Sequence, residues 1–326
     1  MNSLGDVLYL SSAVVEELHI PIEEVIVAVR KAFKQKAEGN AEAPPKPGIH
    51  PRKDSFIHAM PAYLPLMKSA GIKWVSGFPD NPKRGLPYIS GLLILNDPET
   101  GFPTCIMDCT WVTAKRTGAA TAIAAKHLAR NDSQVLGILG CGVQGRSNLE
   151  ALKATCRSLN EVRAYDISKR NLHAYVREMA DQYELKVAPV SSPRKAVEQC
   201  DIVITSGPIL RNPQPVIEAS WFKPGGFACP LDFDSYWKPE ALLSVDKFCT
   251  DDRDQLAYYK CQGYFAIVPD VYAELGEIVS GKKPGREKPE ERIMSMHLGS
   301  AIADMATAKL VYDRAKKTGL GTKLPL

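Results

Sequence analysis

A glycine-rich turn between an apolar run and a helical pattern constrains the fold of this chain most strongly. The run Val135–Leu139 leads into Gly140-Cys-Gly-Val-Gln-Gly145, and apolar residues then recur at helical spacing. In such a strand-turn-helix unit the glycines permit a tight turn, close approach of a pyrophosphate to the backbone, and close packing of helix on strand. The helix N-terminus offers free N–H groups to the anion. We therefore expect a dinucleotide to bind at Gly140, Gly142, Val143, Gln144 and Gly145.

An acidic residue after the next strand indicates which dinucleotide binds. The predicted strand Glu161–Tyr165 is followed by Asp166, about 20 residues past the last glycine, the spacing of a carboxylate that binds a ribose diol. This carboxylate repels a 2'-phosphate and favours NAD. NADP stays the alternative because Ser168, Lys169 and Arg170 follow directly. A glycine turn without nucleotide is a second alternative, and an NTPase loop is a third, although that motif needs lysine where Arg146 stands.

Strand and helix patterns alternate after Asp166 and predict an α/β fold with a doubly wound parallel sheet of the Rossmann type. Two predicted strands in this part are Ile202–Gly207 and a segment near 227–230. Because the carboxyl ends of parallel strands meet at the cofactor crevice, we expect Ser206, Gly207 and Ala228 to lie near the nicotinamide.

The first 110 residues have a different pattern, and a chain of 326 residues favours two domains. Ile22, Val25, Val29 and Phe33 have helical spacing, whereas Ile72–Gly77 and Ile89–Asn96 have strand character, with the turn of a hairpin after Asn96. The segment 43–63 is too proline-rich for a central strand and suits edge strands and turns. This part is expected to be an α+β domain.

Composition excludes several classes of protein. The chain is 45% hydrophobic and 24% charged, with a net charge of +4 and no basic block that predicts nucleic-acid binding. It has no apolar run of about 18 residues, so no membrane span is expected. The eight cysteines show no paired Cys/His spacing, which predicts no metal site and free thiols in the cytoplasm.

Several motifs together resemble the ornithine cyclodeaminase/μ-crystallin family. They include Lys73-Trp-Val-Ser-Gly77, Arg116-Thr117-Gly-Ala-Ala, the glycine turn containing Gln144, and Leu310-Val-Tyr-Asp-Arg-Ala. The family also holds NAD-dependent alanine dehydrogenases and ketimine reductases. The resemblance implies a homodimer, a substrate-binding and dimerisation domain formed by residues 1–115 with 300–326, and an NAD-binding Rossmann domain formed by residues 116–299.

The resemblance also assigns candidate site residues. Lys73 is similar to the family's active-site lysine, Arg116 with Thr117 to its arginine beside substrate and cofactor, and Lys46 to a position that is commonly arginine. A substrate carboxylate needs fixed cations, and a guanidinium suits it best. Since Lys46 is only a point charge, Arg52 is an alternative. A lysine in a strand usually points to solvent, which is the expectation for Lys73 without the resemblance. The alternative for Arg116 is a pair with a surface carboxylate.

Two histidines have no partner pattern. His58 and His127 are interpreted as structural or surface residues.

One departure from the family pattern bears on the reaction. Cyclodeaminases carry an aspartate near the nicotinamide where Ala228 is aligned, although Asp232 or Asp234 lies close enough to replace it. We therefore expect an NAD(P)-dependent oxidoreductase acting on the CH–NH2 or C=N group of a small L-amino or imino acid. The alternatives are a cyclodeaminase that uses NAD catalytically and a non-catalytic nucleotide- or metabolite-binding protein.

Overall fold

The computed structural model describes residues 5–265 and 267–326, which divide into two compact units. Unit 1 contains the described residues up to Arg116 together with Ser300–Leu326, and unit 2 is Thr117–Gly299. The functional roles expected of the two parts stay predictions. Across the described ranges, we find no helix with both the length and the apolar character needed to cross a membrane.

Unit 1 is built on a seven-stranded sheet in the order β15-β1-β6-β5-β4-β3-β2. Strands β1 and β6 are parallel, and the other neighbours are antiparallel. The strands are β1 (Asp6–Leu10), β2 (Gly48–Ile49), β3 (Phe56–Leu64), β4 (Ser69–Gly77), β5 (Ile89–Asn96), β6 (Pro103–Asp108) and β15 (Thr322–Pro325). The helices are α1 (Ser12–Glu17), α2 (Ile22–Ala37), the first part of α3 (Thr110–Leu128), and α10 (Ala301–Thr318). The predicted α+β character of this part is confirmed.

One side of the sheet is covered by the last helix. The α10 helix packs on α2 and on strands β3 and β4, and Gly319 ends it in the left-handed conformation with φ 74°. The predicted apolar face of α2 is confirmed, because Ile22, Val25, Val29 and Phe33 are buried. The inward face of β4 is therefore enclosed by helices.

The proline-rich segment 43–63 was expected to form edge strands and turns, but part of it forms β3, which is not an edge strand. This nine-residue strand lies inside the sheet, between β2 and β4, and contains Pro61 paired with Ile72. On its other side, Ala59 N–H bonds to Pro47 and Tyr63 N–H bonds to Glu42. Pro61 falls between these two pairings, so its missing N–H removes no ladder bond. The predicted hairpin of β5 and β6 is confirmed.

Unit 2 is a doubly wound parallel sheet, as predicted. Its order is β13-β12-β14-β11-β10-β7-β8-β9, and all neighbouring pairs are parallel. The strands are β7 (Val135–Leu139), β8 (Glu161–Tyr165), β9 (Lys186–Pro189), β10 (Ile202–Thr205), β11 (Phe227–Pro230), β12 (Lys247–Thr250), β13 (Ala273–Glu274) and β14 (Ile293–Met296). The helices are α4 (Val143–Thr155), α5 (Lys169–Tyr183), α6 (Pro193–Val197), α7 (Pro239–Leu243), α8 (Arg253–Cys261) and α9 (Leu275–Val279). The strand order reverses between β7 and β10, which makes a topological switch point where ligands of such sheets bind.

Candidate functional site

The glycine turn lies at the switch point of unit 2, and its three glycines meet different surroundings. Gly140 has φ 101°, and a Cβ there would lie 2.7 Å from the carbonyl oxygen of Ser206. A Cβ on Gly145 would lie 2.4 Å from the carbonyl oxygen of Gly140, whereas one on Gly142 would meet nothing within 4 Å. The first and third glycines are therefore required by packing, but the second is required only if something else approaches it.

The N-terminus of α4 begins at this open glycine. Gly142 is the N-cap and has no side chain to cap the helix, and Val143 is 66% exposed. The Gln144 side chain accepts a hydrogen bond from the Ser147 hydroxyl at 3.3 Å. A 13-residue helix with an exposed, uncapped first turn offers N–H groups and a positive dipole end to an anion.

Asp166 ties the end of β8 to the glycine turn. Its Oδ2 accepts a hydrogen bond from the Cys141 backbone N–H at 2.8 Å, and its Oδ1 accepts one from the Ser168 N–H at 2.7 Å. Each carboxylate oxygen has capacity for a further donor. The carboxylate is thus fixed beside the turn at the point where a ribose diol is expected.

The loop after β10 lies against the glycine turn. The Ser206 hydroxyl donates to the Gly140 carbonyl at 2.9 Å. Buried Asp232 accepts hydrogen bonds from the Thr205 hydroxyl and the Gly207 N–H, each at 2.7 Å. Burial raises the pKa of Asp232 to about 7, although both hydrogen bonds act to lower it. Asp232 therefore fixes the loop that carries Ser206 and Gly207.

The structure corrects the placement of Ala228. This residue lies within β11, paired with Val203 and Met294, and its side chain is buried in the hydrophobic core. The strand ends at Pro230, so the residues beyond its carboxyl end begin at 231. A four-residue strand with both faces buried has no alternation to set its register, so the sequence pattern did not show that Ala228 lies inside the strand and not beyond its carboxyl end.

Unit 1 contains a buried cluster of charged side chains centred on Asp304 of α10. Lys73 of β4 is 1% exposed, and its Nζ lies 2.7 Å from Asp304 Oδ1 and 3.4 Å from the Thr113 hydroxyl. Arg116 of α3 donates from Nε to the same Asp304 oxygen at 3.0 Å. The structure therefore brings Lys73 and Arg116 together on one carboxylate. Lys73 does not face solvent, and Arg116 does not pair with a surface carboxylate.

The cluster alters the protonation of Lys73. Burial lowers its pKa to about 8, the adjacent Arg116 adds to the lowering, and Asp304 opposes both by favouring the cation. A lysine with a pKa near neutrality can hold or release a proton under ordinary conditions.

A third cation lies near this cluster. Lys46 is 7% exposed, and buried His58 lies close enough that Lys46, His50 and Lys73 all depress its pKa, which burial lowers to about 2. The His58 ring stacks on Phe56 with centroids 4.2 Å apart. His58 is therefore a neutral, buried structural residue, as predicted.

Two further candidates differ in exposure. The Arg52 side chain is exposed, which removes it as the alternative to buried Lys46, whereas Thr117 is buried beside Arg116 in α3.

Sequence reasoning missed Asp304. It lies on α10 in Ala301-Ile-Ala-Asp-Met-Ala-Thr-Ala308 and is completely buried. The signal was available, because one acid in the apolar, alanine-rich first half of this helix needs a buried cation. The sequence did not show which cation pairs with Asp304, because Lys73 is 231 residues away along the chain.

All eight cysteines are free thiols. Among residues 5–265 and 267–326, no group of three or more His, Cys, Asp or Glu is arranged to hold a metal ion.

Comparison with known proteins gives matches over nearly the whole chain. The model of the ornithine cyclodeaminase/mu-crystallin family matches residues 6–319. The alanine dehydrogenase of Archaeoglobus fulgidus is 38% identical, covering 98% of both chains. Thermococcus litoralis Δ1-pyrroline-2-carboxylate reductase, solved with NADH and L-proline, has a TM-score of 0.89 and 34% identity over 98% of this chain and 100% of its own. An archaeal alanine dehydrogenase dimer with bound NAD has a TM-score of 0.87 and 35% identity over 98% and 99%. The chain therefore belongs to the ornithine cyclodeaminase/mu-crystallin family.

Proposed function

We propose that this protein is an NAD-dependent oxidoreductase that acts on the CH–NH2 or C=N group of a small L-amino or imino acid. The observation that carries the proposal is the buried pair of cations, Lys73 and Arg116, in a chain that also has a complete glycine turn. Full-length relatives named as an alanine dehydrogenase and a Δ1-pyrroline-2-carboxylate reductase support it. A purely nucleotide-binding role does not explain buried cations, whose desolvation is costly.

The glycine turn fits NAD. The open space at Gly142 and the uncapped start of α4 suit a pyrophosphate, with Gly140, Val143, Gln144 and Gly145 around it. Asp166 would hold the adenosine ribose, and Ser206 and Gly207 would line the nicotinamide end, with Thr117 and Arg116 as further candidates. When bound, NAD supplies the hydride chemistry. NADP is disfavoured because the carboxylate of Asp166, fixed beside the glycine turn, would repel a 2'-phosphate.

The cations of unit 1 would hold the substrate carboxylate. Lys73 and Arg116 carry two positive charges against the one negative charge on Asp304, so this group has an excess of positive charge that an anion can neutralise. Lys46, which is also buried, is the further candidate. Arg116 uses Nε in its hydrogen bond to Asp304. The forked end of its guanidinium matches the geometry of a substrate carboxylate. Lys73, with a pKa of about 8, would hold the proton that an imine nitrogen needs to become a good hydride acceptor.

A substrate panel tests the proposal. Purified protein is mixed with NADH, ammonia and a series of 2-oxo acids, and separately with cyclic imino acids such as Δ1-pyrroline-2-carboxylate, and loss of NADH absorbance is followed. We expect NADH consumption with at least one substrate and a stoichiometric amino-acid product. Confirmed NADH binding without consumption by any substrate contradicts the proposal. Ammonia release from a diamino acid, with NAD recycled and no NADH accumulating, assigns the cyclodeaminase reaction instead.

We also propose that the protein is a cytoplasmic homodimer. The eight free thiols suit a reducing compartment. The sheet face of unit 1 that points away from α10 is apolar, with Trp74 and Leu92 paired across β4 and β5 and 48% and 46% exposed. Ile72, Ile94 and Ile106 form the neighbouring row. An apolar face of this kind suits a self-complementary interface.

Light scattering of Trp74→Asp tests the dimer. A buried, unpaired charge at each copy of the interface costs several kcal/mol, so we expect a monomer where the wild type is a dimer. The control is Val27→Asp, because Val27 is exposed on α2, outside this sheet face. A dimeric Trp74→Asp variant contradicts the interface.

A further inference from the structure

The two oxygens of the Asp304 carboxylate have different environments. Oδ1 accepts hydrogen bonds from Lys73 Nζ at 2.7 Å and from Arg116 Nε at 3.0 Å. Oδ2 is buried and has no hydrogen-bond partner in the described part of the chain. A charged oxygen removed from water without a donor costs free energy, so such an atom needs an explanation.

A second unpaired atom lies on the same helix. Ser300, the N-cap of α10, is 4% exposed, and its Oγ is likewise buried without a hydrogen-bond partner among the described residues. Ser300 and Asp304 are four positions apart, which places them about one turn from each other along the helix. The start of α10 therefore carries two buried polar atoms without a hydrogen-bond partner among the described residues, and one of them belongs to the carboxylate that contacts the two cations.

The neighbouring charges indicate which ligand atom these acceptors suit. Lys73 and Arg116 already contact Asp304 and have hydrogen-bond donors suited to a substrate carboxylate. In an α-amino acid or its imine, the nitrogen and the carboxylate are bonded to the same carbon. A carboxylate held by cations that touch Asp304 therefore brings its nitrogen close to the Asp304 carboxylate.

We propose that Asp304 is a substrate-binding residue whose free oxygen, Oδ2, accepts a hydrogen bond from the protonated nitrogen of the amine or imine substrate. This inference rests on the proposed function and deepens it. Oδ1 holds Lys73 and Arg116 in position for the substrate carboxylate. Oδ2 binds the substrate nitrogen and discriminates against an oxygen at the same place. A cyclic ether presents only lone pairs to this carboxylate and leaves a buried acceptor unpaired. A 2-hydroxy acid offers a neutral O–H donor in place of a charged N–H donor, so it makes a weaker hydrogen bond.

Binding to the NADH complex separates this role from the reaction itself, because NADH and an amino acid form a complex that cannot turn over. The probes are two pairs of near-isosteric ligands, L-alanine with L-lactate and L-proline with (S)-tetrahydrofuran-2-carboxylate. Dissociation constants are measured by calorimetry at pH 6.5, below the pKa of Lys73 of about 8. For the pair whose amine binds, we expect the wild type to bind the amine at least ~100-fold more tightly than its oxygen analogue.

The variant Asp304→Asn then tests the residue. We expect amine binding to weaken by at least ~10-fold, whereas the oxygen analogue changes by less than ~3-fold, so the ratio between them collapses. The control is Asp313→Asn, the same substitution on the same helix in a surface pair with Lys309, which should leave the ratio unchanged. Thermal melting establishes that both variants are folded.

Three results overturn the inference. Equal weakening of both ligands in Asp304→Asn means that Asp304 only holds the two cations. Unchanged binding of both ligands means that it does not contact the nitrogen. A wild-type ratio near one contradicts the proposal even if Asp304→Asn fails to fold. Absence of NADH binding, or of binding by any carboxylate ligand, instead contradicts the proposed function.

Discussion

The glycine turn of unit 2 and the charged cluster of unit 1 are built in opposite ways. The turn lies within residues 140–145. A Cβ on Gly140 or Gly145 would meet a backbone oxygen of the loop after β10 or of the turn itself, whereas one on Gly142 would meet nothing within 4 Å. The cluster joins Lys73 and Arg116 to Asp304, which are 231 and 188 residues away from it. A cofactor site can thus be encoded locally, whereas this substrate site depends on the last helix returning to the first domain. The glycine turn and the charged cluster should therefore respond differently to substitution.

The largest effect is expected from removing the cluster's lysine. Lys73→Ala deletes both the cation that holds the carboxylate and the proton carrier, so we expect kcat/KM to fall by at least ~10³-fold. NADH binding, measured by fluorescence, should change by less than twofold because the glycine turn lies in unit 2.

The matched control is Lys34→Ala, since Lys34 is a largely exposed lysine of unit 1 that pairs with Glu38 at the surface. It should retain wild-type activity. If Lys73→Ala keeps more than a tenth of the wild-type kcat/KM, the cluster is not the substrate site.

Two glycine variants test the turn and differ in what they disturb. A Cβ in Gly145→Ala would meet a backbone oxygen at 2.4 Å, so we expect about 1–3 kcal/mol of destabilisation together with weaker NADH binding. Gly142→Ala meets no protein atom and should melt like the wild type while binding NADH at least ~10-fold more weakly. Calorimetric melting and NADH titration check both variants. Unchanged NADH affinity in Gly142→Ala would remove the pyrophosphate from this position.

A smaller effect follows from the pKa of Lys73. Because burial lowers this pKa to about 8, the lysine is charged below that pH and loses its proton as pH rises through it. Affinity for a carboxylate ligand should therefore fall above pH 8, by up to ~10-fold per pH unit where only the charged form binds. NADH affinity measured across the same range should stay nearly level, since the turn lacks such a group. His58 should not titrate in this range because its pKa is about 2.

The difference between local and long-range contacts explains which features could be predicted from the sequence and which could not. The strand, turn and helix from Val135 to Thr155 follow from local patterns, and so do the periodic face of α2 and the hairpin of β5 and β6. Position 228 was misplaced and β12 and β14 were missed because four-residue strands buried on both faces carry no periodicity. Lys73 and Arg116 were found through resemblance to a family. Asp304 was missed because only the tertiary fold places it beside them.

The most direct test of the account follows a hydride into the product. NADH carrying deuterium at both C4 positions of the nicotinamide is used with the best substrate of the panel, and the amino-acid product is analysed by mass spectrometry and NMR. Net reduction at the carbon beside the carboxylate predicts one deuterium on that carbon for each NADH consumed. NADH consumption that gives a product without deuterium on that carbon would contradict it.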